Sequence, residues 1–452
     1  MPPAREHPSI ECRVLERQAG SERRTGSAGR PRSCRRRLGR RSDLGARGTS
    51  PCSPACLVDA HLSRWRAEAC RTPSLHSGTM ITARSVPVID LFAGAGGFGI
   101  AATQARAKLR LSVEIDPVAC STLTANAGTG QAVRQADLTQ TRGRTLRRWA
   151  GLDRLDPLVV IGGAPCQPFS KAAYWLDDGQ DSAWRRDRAR GIRRERPVSP
   201  LTPRADGRRS LVDQFARLVI EARADGFVFE NVAGIEHPRN RGMLSRLLTT
   251  VSDAGYNTTL VRALASDFGV AQHRARVFVL GSRYSAPIPP KPTHDGRGSR
   301  SDVLLPPVSA REACKPFGGR QYFEPEEVIT GRWADHLRQI PPGSNYKFHT
   351  AWAEHPSPTF VAETRYWNFL LVLDPRRPAW TIPAQPGPWV GPFHWKHRRL
   401  RVPELAALQG FPVDYMFTGT RRERVRQIGN AVPPPMAAPM VRSVVSTLSK
   451  HV

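Results

Sequence analysis

The chain has 452 residues, with 68 Lys and Arg against 39 Asp and Glu, which gives a formal net charge of +29. This excess favours a polyanionic partner such as nucleic acid, although 61 of the 68 basic residues are Arg, a bias that a GC-rich gene also produces. Eight cysteines and the lack of any run of about 18 apolar residues exclude a disulfide-rich secreted domain and a membrane span, so we expect a cytoplasmic protein.

Residues 1–79 form an Arg-rich extension with 16 Arg, no Lys and no hydrophobic period of a helix or a strand. This composition is typical of disorder, and no apolar signal-peptide core follows the basic start. Cys52, Cys56 and Cys70 match no ordinary zinc spacing, so we expect no metal site. Since Met80 directly precedes the first predicted strand, we expect the native start there and a chain beginning at Met80 to fold and act normally.

From residue 80 to 283, short Val-, Ile- and Leu-rich runs alternate with helix-length amphipathic stretches. The alternation predicts an α/β domain with a doubly wound, mostly parallel sheet. The predicted strands are 86–92, 111–116, 158–162, 227–231, 259–265 and 276–281. The predicted helices are 97–106, 117–127, 211–223 and 242–254.

The alternation stops at residues 284–398, where Pro, Gly, Trp and charged residues dominate. We predict a second, smaller and irregular domain there. Residues 399–452 return to helical patterns, clearest at 403–408 and 436–448, and we expect this segment to belong to the first domain.

A glycine-rich turn follows the first predicted strand. Gly94, Gly96 and Gly99 satisfy G-x-G-x-x-G between a strand and a helix, which indicates a site for a nucleoside-bearing cofactor. About 20 residues later, Glu114 ends the second strand, where a carboxylate accepts hydrogen bonds from a ribose. The pattern alone fits a nicotinamide-dependent oxidoreductase equally well, and an ordinary exposed carboxylate is the alternative for Glu114.

Two strand ends carry groups typical of covalent catalysis. Cys166 is bracketed by Pro165 and Pro168 at the carboxyl end of a buried strand, which indicates a positioned nucleophile. Cys120, on a helix face, is interpreted as an inert buried thiol. Glu230 ends the next apolar strand at the same edge, where burial would raise its pKa and suit it to proton donation.

Arg274 and Arg276 stand two residues apart at the start of the last predicted strand, so both side chains are expected on one face. Two guanidinium groups at that place would suit a phosphate or a carboxylate. For either residue alone, a surface position in an Arg-rich chain is the alternative.

Taken together and in order, these segments resemble the DNA cytosine-5 methyltransferase family in its bacterial form, from Val86 to Ala438. Residues 399–412 and 429–432 resemble the last two family motifs. The resemblance implies a Rossmann-like domain that binds the methyl donor S-adenosylmethionine. The donor-binding residues that it implies are Phe92, Gly94, Gly96, Gly97, Glu114, Asp137, Pro165, Asn430 and Val432. The catalytic residues that it implies are Cys166, Glu230, Arg274 and Arg276.

The resemblance also implies a mechanism. Cys166 as thiolate adds to C6 of a cytosine flipped out of the duplex, while Glu230 hydrogen-bonds or protonates N3 and C5 takes the methyl group. Arg274 is expected to hold the segment after Cys166 closed over the base. Residues 284–398 would be the target-recognition domain, in which Trp352, Tyr366, Trp367 and Trp389 are available for packing or stacking.

The implied partners are double-stranded DNA and, as a candidate, a cognate restriction endonuclease. We expect neither a membrane partner nor a metal. We expect a monomer that associates with the bacterial nucleoid through DNA. Three alternatives remain open: an RNA (tRNA) cytosine-5 methyltransferase of the same fold, a nucleotide-binding oxidoreductase, and a catalytically silent DNA-binding module. The oxidoreductase has no use for Cys166 and Glu230, and intact copies of both argue against a silent module.

An Arg-rich insertion departs from the family pattern, because about 40 residues separate Cys166 from Asp206. Residues 184–196 contain seven Arg against one Asp and one Glu. One interpretation is a solvated, disordered loop whose charge reflects codon bias. The other is a strip that grips phosphates beside the flipped base, which would steepen the salt dependence of DNA binding.

Overall fold

The computed structural model describes residues 85–170, 180–198, 205–298 and 303–448. The predictions for residues 1–79 lie outside these ranges. No helix within the ranges is long and apolar enough to cross a membrane.

A mixed sheet forms the centre of the fold. The strands are β1 (Pro87–Leu91), β2 (Lys108–Glu114), β3 (Ala132–Gln135), β4 (Val159–Gly162), β5 (Gly226–Val232), β6 (Asn257–Leu264), β7 (Gln272–His273), β8 (Ala275–Ser282) and β9 (Ala379–Trp380). Seven of them pair in the order β3-β2-β1-β4-β5-β8-β6. The first five are parallel, and β8 runs antiparallel to β5 and β6. The predicted mostly parallel sheet is confirmed, with strand ends displaced by at most three residues.

Helices cover both faces of this sheet. The α-helices of the described residues are α1 (Gly97–Gln104), α2 (Pro117–Ala125), α3 (Gly143–Ala150), α4 (Gln180–Ala189), α5 (Leu211–Glu221), α6 (Arg241–Asp253), α7 (Ala310–Cys314), α8 (Ala334–Gln339), α9 (Val402–Leu408), α10 (Arg421–Asn430) and α11 (Pro434–Leu448). α3, α5 and α6 share one apolar cluster with Ile89 of β1. α1 and α11 share another with Val88, the preceding residue, whose side chain points to the opposite face. The C-terminal helix therefore packs on the sheet.

Sequence periodicity does not predict β3, α3 or α10. β3 is four residues long and half of it is exposed, while α3 and α10 contain three and four Arg, which weakens the apolar period. Arg stems nevertheless cover apolar surface once the chain has folded. One local signal for α10 is present, because Thr420 and Glu423 form a capping box at its start.

The stretch between β8 and α9 is built mainly from short helical turns and isolated bridges, as the sequence predicts. Part of it has an apolar cluster of its own, which consists of Ile329, Ala334, Leu337, Ile340, Tyr346, Phe360, Leu370, Val372 and Phe393. The short strand β9 pairs with β7, which immediately precedes Arg274. The proposed boundaries at 283/284 and 398/399 stay predictions.

The Arg-rich insertion contains helix α4, so the interpretation of a disordered loop is wrong for residues 180–189. Trp184 is 6% exposed, and its indole Nε1 donates a hydrogen bond to the carbonyl of Arg194 at 3.0 Å. A buried aromatic side chain thus holds the insertion together. Phosphate contact remains a prediction for exposed residues of the strip such as Arg186 and Arg190.

Candidate active site

A cavity of about 320 Å³ lies at the carboxyl ends of the parallel strands. Most of the predicted site residues line it, as expected for groups that follow neighbouring strands of a parallel sheet. These are Phe92, Gly94, Gly97, Glu114, Asp137, Pro165, Cys166, Glu230, Arg276, Asn430 and Val432. Gly96 and Arg274 do not line the cavity, but both lie next to residues that do. Within the part of the chain described above, no group of His, Cys, Asp and Glu side chains is arranged to hold a metal ion.

The glycine-rich turn after β1 is shaped by the C-terminal segment that packs against it. Gly96 has a φ of +82°, and a Cβ there would lie 2.6 Å from the hydroxyl of Tyr415, which donates to the carbonyl of Ala95 at 2.7 Å. A Cβ on Gly97 would lie 2.2 Å from the carbonyl oxygen of Val432. Glycine is therefore required here for close backbone approach as well as for a positive φ.

Substituting Gly97 by Ala should force this turn and the segment at Val432 apart. We expect Gly97→Ala to lower the free energy of unfolding by about 1–3 kcal/mol, as overpacking of tight sites does. Urea unfolding followed by circular dichroism measures the change. Gly128→Ala is the matched control, since nothing lies within 4 Å of its Cβ position. A loss at Gly97 no larger than at Gly128 would contradict the proposed steric conflict.

Glu114 holds the turn in place. Its Oε2 accepts a hydrogen bond from the amide of Gly94 at 2.8 Å, and its Oε1 accepts from the amides of Ile115 at 2.8 Å and Asp116 at 3.0 Å. Asp116 in turn accepts from Arg426 of α10 at 2.6 Å, a contact that the sequence did not predict. Oε2 of Glu114 accepts only one of these hydrogen bonds and has a further lone pair, so the ribose contact predicted for Glu114 remains available.

Asp90, at the end of β1, is a site residue that the sequence analysis missed. It is fully buried, it lines the cavity, and neither of its carboxylate oxygens has a hydrogen-bond partner among the described residues. Burial raises its pKa well above the ordinary value, and the Glu114 carboxylate adds to the rise. Its position immediately before the glycine turn was the available signal. A cationic group in the cavity would stabilise the charged form of Asp90.

Cys166 and Glu230 line the same cavity from the ends of the neighbouring strands β4 and β5. Arg276 Nε lies 2.7 Å from Glu230 Oε1, and both side chains are 8% exposed. A Cβ on Gly163 would come within 2.8 Å of Glu230 Oε2, so the missing side chain leaves room for the carboxyl group. A thiol, a buried carboxyl and a guanidinium therefore face one space.

The environment of this cluster favours the protonated forms of its acids. Burial raises the pKa of Glu230, while Arg276 and Arg274 oppose the rise. Burial also raises the pKa of the Cys166 thiol, with Arg276 and Arg274 opposing it and Glu230 adding to it. A protonated carboxyl group is suited to proton donation, and the thiol must lose its proton before it can act as a nucleophile.

Arg274 lies behind the cavity wall and is 2% exposed. Its Nη2 donates to the carbonyls of Gly429 at 2.8 Å and Ala431 at 3.2 Å, which flank Asn430 in the cavity lining. Burial, together with the neighbouring Arg276, lowers the pKa of this guanidinium to about 9. Arg274 thus supports the C-terminal part of the lining.

The turn that carries Cys166 is held by Arg209, which the sequence analysis did not single out. Arg209 donates to the carbonyl of Pro168 at 3.3 Å and to Asn240 Oδ1 at 2.8 Å, and its guanidinium lies 4.9 Å from the centre of the Phe169 ring. The predicted contact of Arg274 with the segment after Cys166 concerns residues 171–179, which lie outside the described ranges.

Comparisons with known proteins agree with this geometry. Residues 86–446 match the family model described as C-5 cytosine-specific DNA methylase. The chain is 36% identical to the Type II methyltransferase M.SacI of Streptomyces achromogenes, over 80% of this chain and 93% of the relative. It is 29% identical to the Type II methyltransferase M.XorII of Xanthomonas oryzae pv. oryzae, over 80% and 85% of the two chains.

A solved structure shows the same fold. A prophage-encoded DNA modification methyltransferase of E. coli superimposes with a TM-score of 0.55 and 21% identity, covering 80% of this chain and 99% of the other. At this identity the likeness concerns the fold alone.

Proposed function

Because the chain belongs to the C-5 cytosine-specific DNA methylase family and is thus a DNA cytosine-5 methyltransferase, we propose that Cys166 and Glu230 carry the reaction through a covalent bond to the base. The observation that carries this proposal is the cavity that the thiol and the carboxyl group share, with Arg276 bound to Glu230 at 2.7 Å. The Type II relatives support a role in restriction-modification.

The cavity fits S-adenosylmethionine, the methyl donor of such enzymes. Its buried Asp90 has no hydrogen-bond partner among the described residues and would suit the positive charge of the donor. When bound, the donor supplies an electrophilic methyl group. We assign its binding to Phe92, Gly94, Gly96, Gly97, Glu114, Asp137, Pro165, Asn430 and Val432, with Asp90 added.

The reaction begins on the cytosine ring. The Cys166 thiolate forms a bond to C6, and the electrons of the C5–C6 double bond shift towards C5 while Glu230 donates a proton or a hydrogen bond to N3. C5 then takes the methyl group as the bond between that group and the donor sulfur breaks. A base removes the C5 proton, the bond between C6 and the Cys166 sulfur breaks to restore the double bond, and N3 returns its proton to Glu230. Arg276 orients Glu230 throughout, since its guanidinium is bound to the carboxyl group.

The target base has to leave the duplex to reach this cavity, because C6 is inaccessible in a stacked base. We propose double-stranded DNA as the substrate and transfer of labelled methyl groups as the test. Duplex DNA should accept label and tRNA should not, whereas preferential labelling of tRNA would favour the RNA alternative. We further propose a monomer at the bacterial nucleoid in the cytoplasm, with a cognate restriction endonuclease as a partner and no metal.

Residues 284–398 are proposed as the target-recognition domain, supported by their separate apolar cluster around Tyr346 and Phe360. In this arrangement residues 284–398 would contact the base edges and so specify the sequence, whereas the donor binds in the cavity at the edge of the sheet. Exchanging these residues for those of a relative such as M.SacI should change which cytosine is methylated and leave donor affinity within about twofold. Bisulfite sequencing reads the methylated site, and equilibrium dialysis reads donor binding. Unchanged specificity in an active chimera would place base readout elsewhere.

A further inference from the structure

A second concave surface, of about 510 Å³, lies between the Arg-rich insertion and the proposed recognition domain. We call it the aromatic groove and define it by Trp184, Arg185, Lys347, Tyr366, Trp367 and Trp380, which are part of its lining. It shares no lining residue with the cavity that contains Cys166. The family resemblance does not account for this surface, because one wall comes from the insertion.

The wall from the insertion is anchored by specific contacts. Arg185 donates from Nη1 to the carbonyls of Glu363 at 3.1 Å and Arg365 at 3.0 Å. Its guanidinium lies 4.7 Å from the centre of the Tyr366 ring, and its Nε donates to Asp181 at 2.6 Å. These contacts hold α4 against the proposed recognition domain, so hydrogen bonds and an ion pair maintain the shape of the groove.

The groove has a cationic excess. Arg185, Arg196, Lys347 and Arg365 line it against a single carboxylate in its lining, that of Glu363. That carboxylate lies 3.6 Å from Arg188 Nη2, which offsets its charge. Asp181, outside the lining, lies 2.6 Å from Arg185 and 4.0 Å from Arg196, so the remaining positive charge of the groove is that of Lys347 and Arg365. The groove therefore attracts an anionic ligand.

Three aromatic side chains of the groove, those of Tyr366, Trp367 and Trp380, are unusually exposed for residues of their size. Trp367 is 50% exposed and Trp380 is 44% exposed, with ring centres 5.9 Å apart and ring planes at 73°. Indole faces accessible inside a cationic groove are suited to stacking a planar base whose phosphate meets the cations.

The groove also begins close to the catalytic cluster. Trp380 of β9 pairs with His273 of β7, and the Thr381 hydroxyl donates to the carbonyl of His273 at 2.7 Å. His273 is three residues before Arg276, the partner of Glu230, which corresponds to about 10 Å of extended chain. DNA engaged at Cys166 therefore lies within reach of the groove.

We propose that the aromatic groove binds an unpaired nucleotide of the substrate DNA, with its base on Trp367 or Trp380 and its phosphate towards Lys347 and Arg365. Base flipping leaves nucleotides near the target without a pairing partner, and only an unpaired base presents its face to an indole. The inference rests on the proposed function, since DNA must be the substrate.

The test uses an eight-nucleotide oligodeoxythymidylate with one 2-aminopurine, whose fluorescence is quenched by stacking. The full-length wild type should quench the probe. Trp367→Ala and Trp380→Ala should each weaken its binding by about 5- to 150-fold, the range for loss of one stacking aromatic. Lys347→Gln should flatten the slope of log affinity against log salt by about 0.7.

Phe323→Ala is the control, because Phe323 is 54% exposed in the same proposed domain but does not line the groove. It should bind the probe like the wild type. Affinities of Trp367→Ala and Trp380→Ala equal to that of the wild type would overturn the proposal, as would an equal loss in the control. A wild type that methylates no DNA would instead contradict the proposed function, whatever the probe shows.

Discussion

Cys166→Ala is expected to lose methyl transfer by on the order of 10⁴-fold or more, because the variant has no atom that can add to C6. Duplex DNA that contains 5-fluorocytosine provides the direct measurement. Fluorine at C5 blocks the final elimination, so the wild type should remain attached to this DNA after denaturation. Cys166→Ala and Cys166→Ser should form no such adduct on a denaturing gel.

Cys314→Ala is the control for this prediction. Cys314 is 2% exposed in an apolar cluster away from the cavity, and burial raises its pKa far above the ordinary range, so it is no candidate nucleophile. The control should keep both turnover and trapping. Normal trapping by the Cys166 variants would show that another residue is the nucleophile, and a loss of S-adenosylmethionine binding in them would point to a folding defect instead.

Glu230→Gln is expected to slow methyl transfer by about 10²- to 10⁴-fold, the usual contribution of a positioned proton donor. The amide keeps the size of the side chain and can still donate a hydrogen bond, but it cannot give up a proton to N3. Single-turnover transfer of labelled methyl groups measures the chemical step. Cytosine binding should change far less than this rate.

The pH profile tests the same role with a defined sign. Glu230 donates only while protonated, so the wild-type kcat/KM should fall as pH rises through the elevated pKa of the carboxyl group. The Cys166 thiol acts only after losing its proton, so the rate should rise with pH through the thiol pKa. The two limbs report apparent pKa values of two interacting groups, the Glu230 carboxyl group and the Cys166 thiol. Glu230→Gln should lose the falling limb alone.

Glu236→Gln is the matched control for Glu230. Glu236 also pairs with an arginine, Arg262 at 2.6 Å, but this pair is outside the cavity lining and its Arg side chain is 69% exposed. The control should keep the wild-type rate and both limbs of the profile. A falling limb that persists in Glu230→Gln would assign proton donation to a different group.

Much of the site was accessible from the sequence because each part is encoded locally. The buried β1 and the glycine turn occupy adjacent positions, Cys166 follows the apolar strand β4 within a few residues, and Glu230 lies near the end of β5. A parallel sheet brings such strand ends to one edge whatever the intervening chain does. The six strands and the part of the cavity lining that lies at their carboxyl ends could therefore largely be predicted without knowledge of long-range contacts.

Asp90 shows a limit of this approach. Its type and position were visible, but the meaning of the residue depends on complete burial and on the lack of a hydrogen-bond partner among the described residues. Both properties arise from the packing of α1 on the face of β1 that carries Val88 and Asp90, since the helix excludes water from the carboxyl group. An acidic residue at a strand end has no such property by itself.

Local patterns thus determined the α/β class, the order of the motifs and the residues proposed for chemistry, because hydrophobic period and turn composition act over a few residues. Tertiary structure decided which arginines have protein partners. Arg426 meets Asp116 across 310 positions, and Arg185 meets the carbonyl of Glu363 across 178. In a chain with 61 Arg, no local pattern separates these from solvated surface residues. The folded backbone brings these arginines to their partners, and the contact of Arg185 with Glu363 forms one side of the aromatic groove.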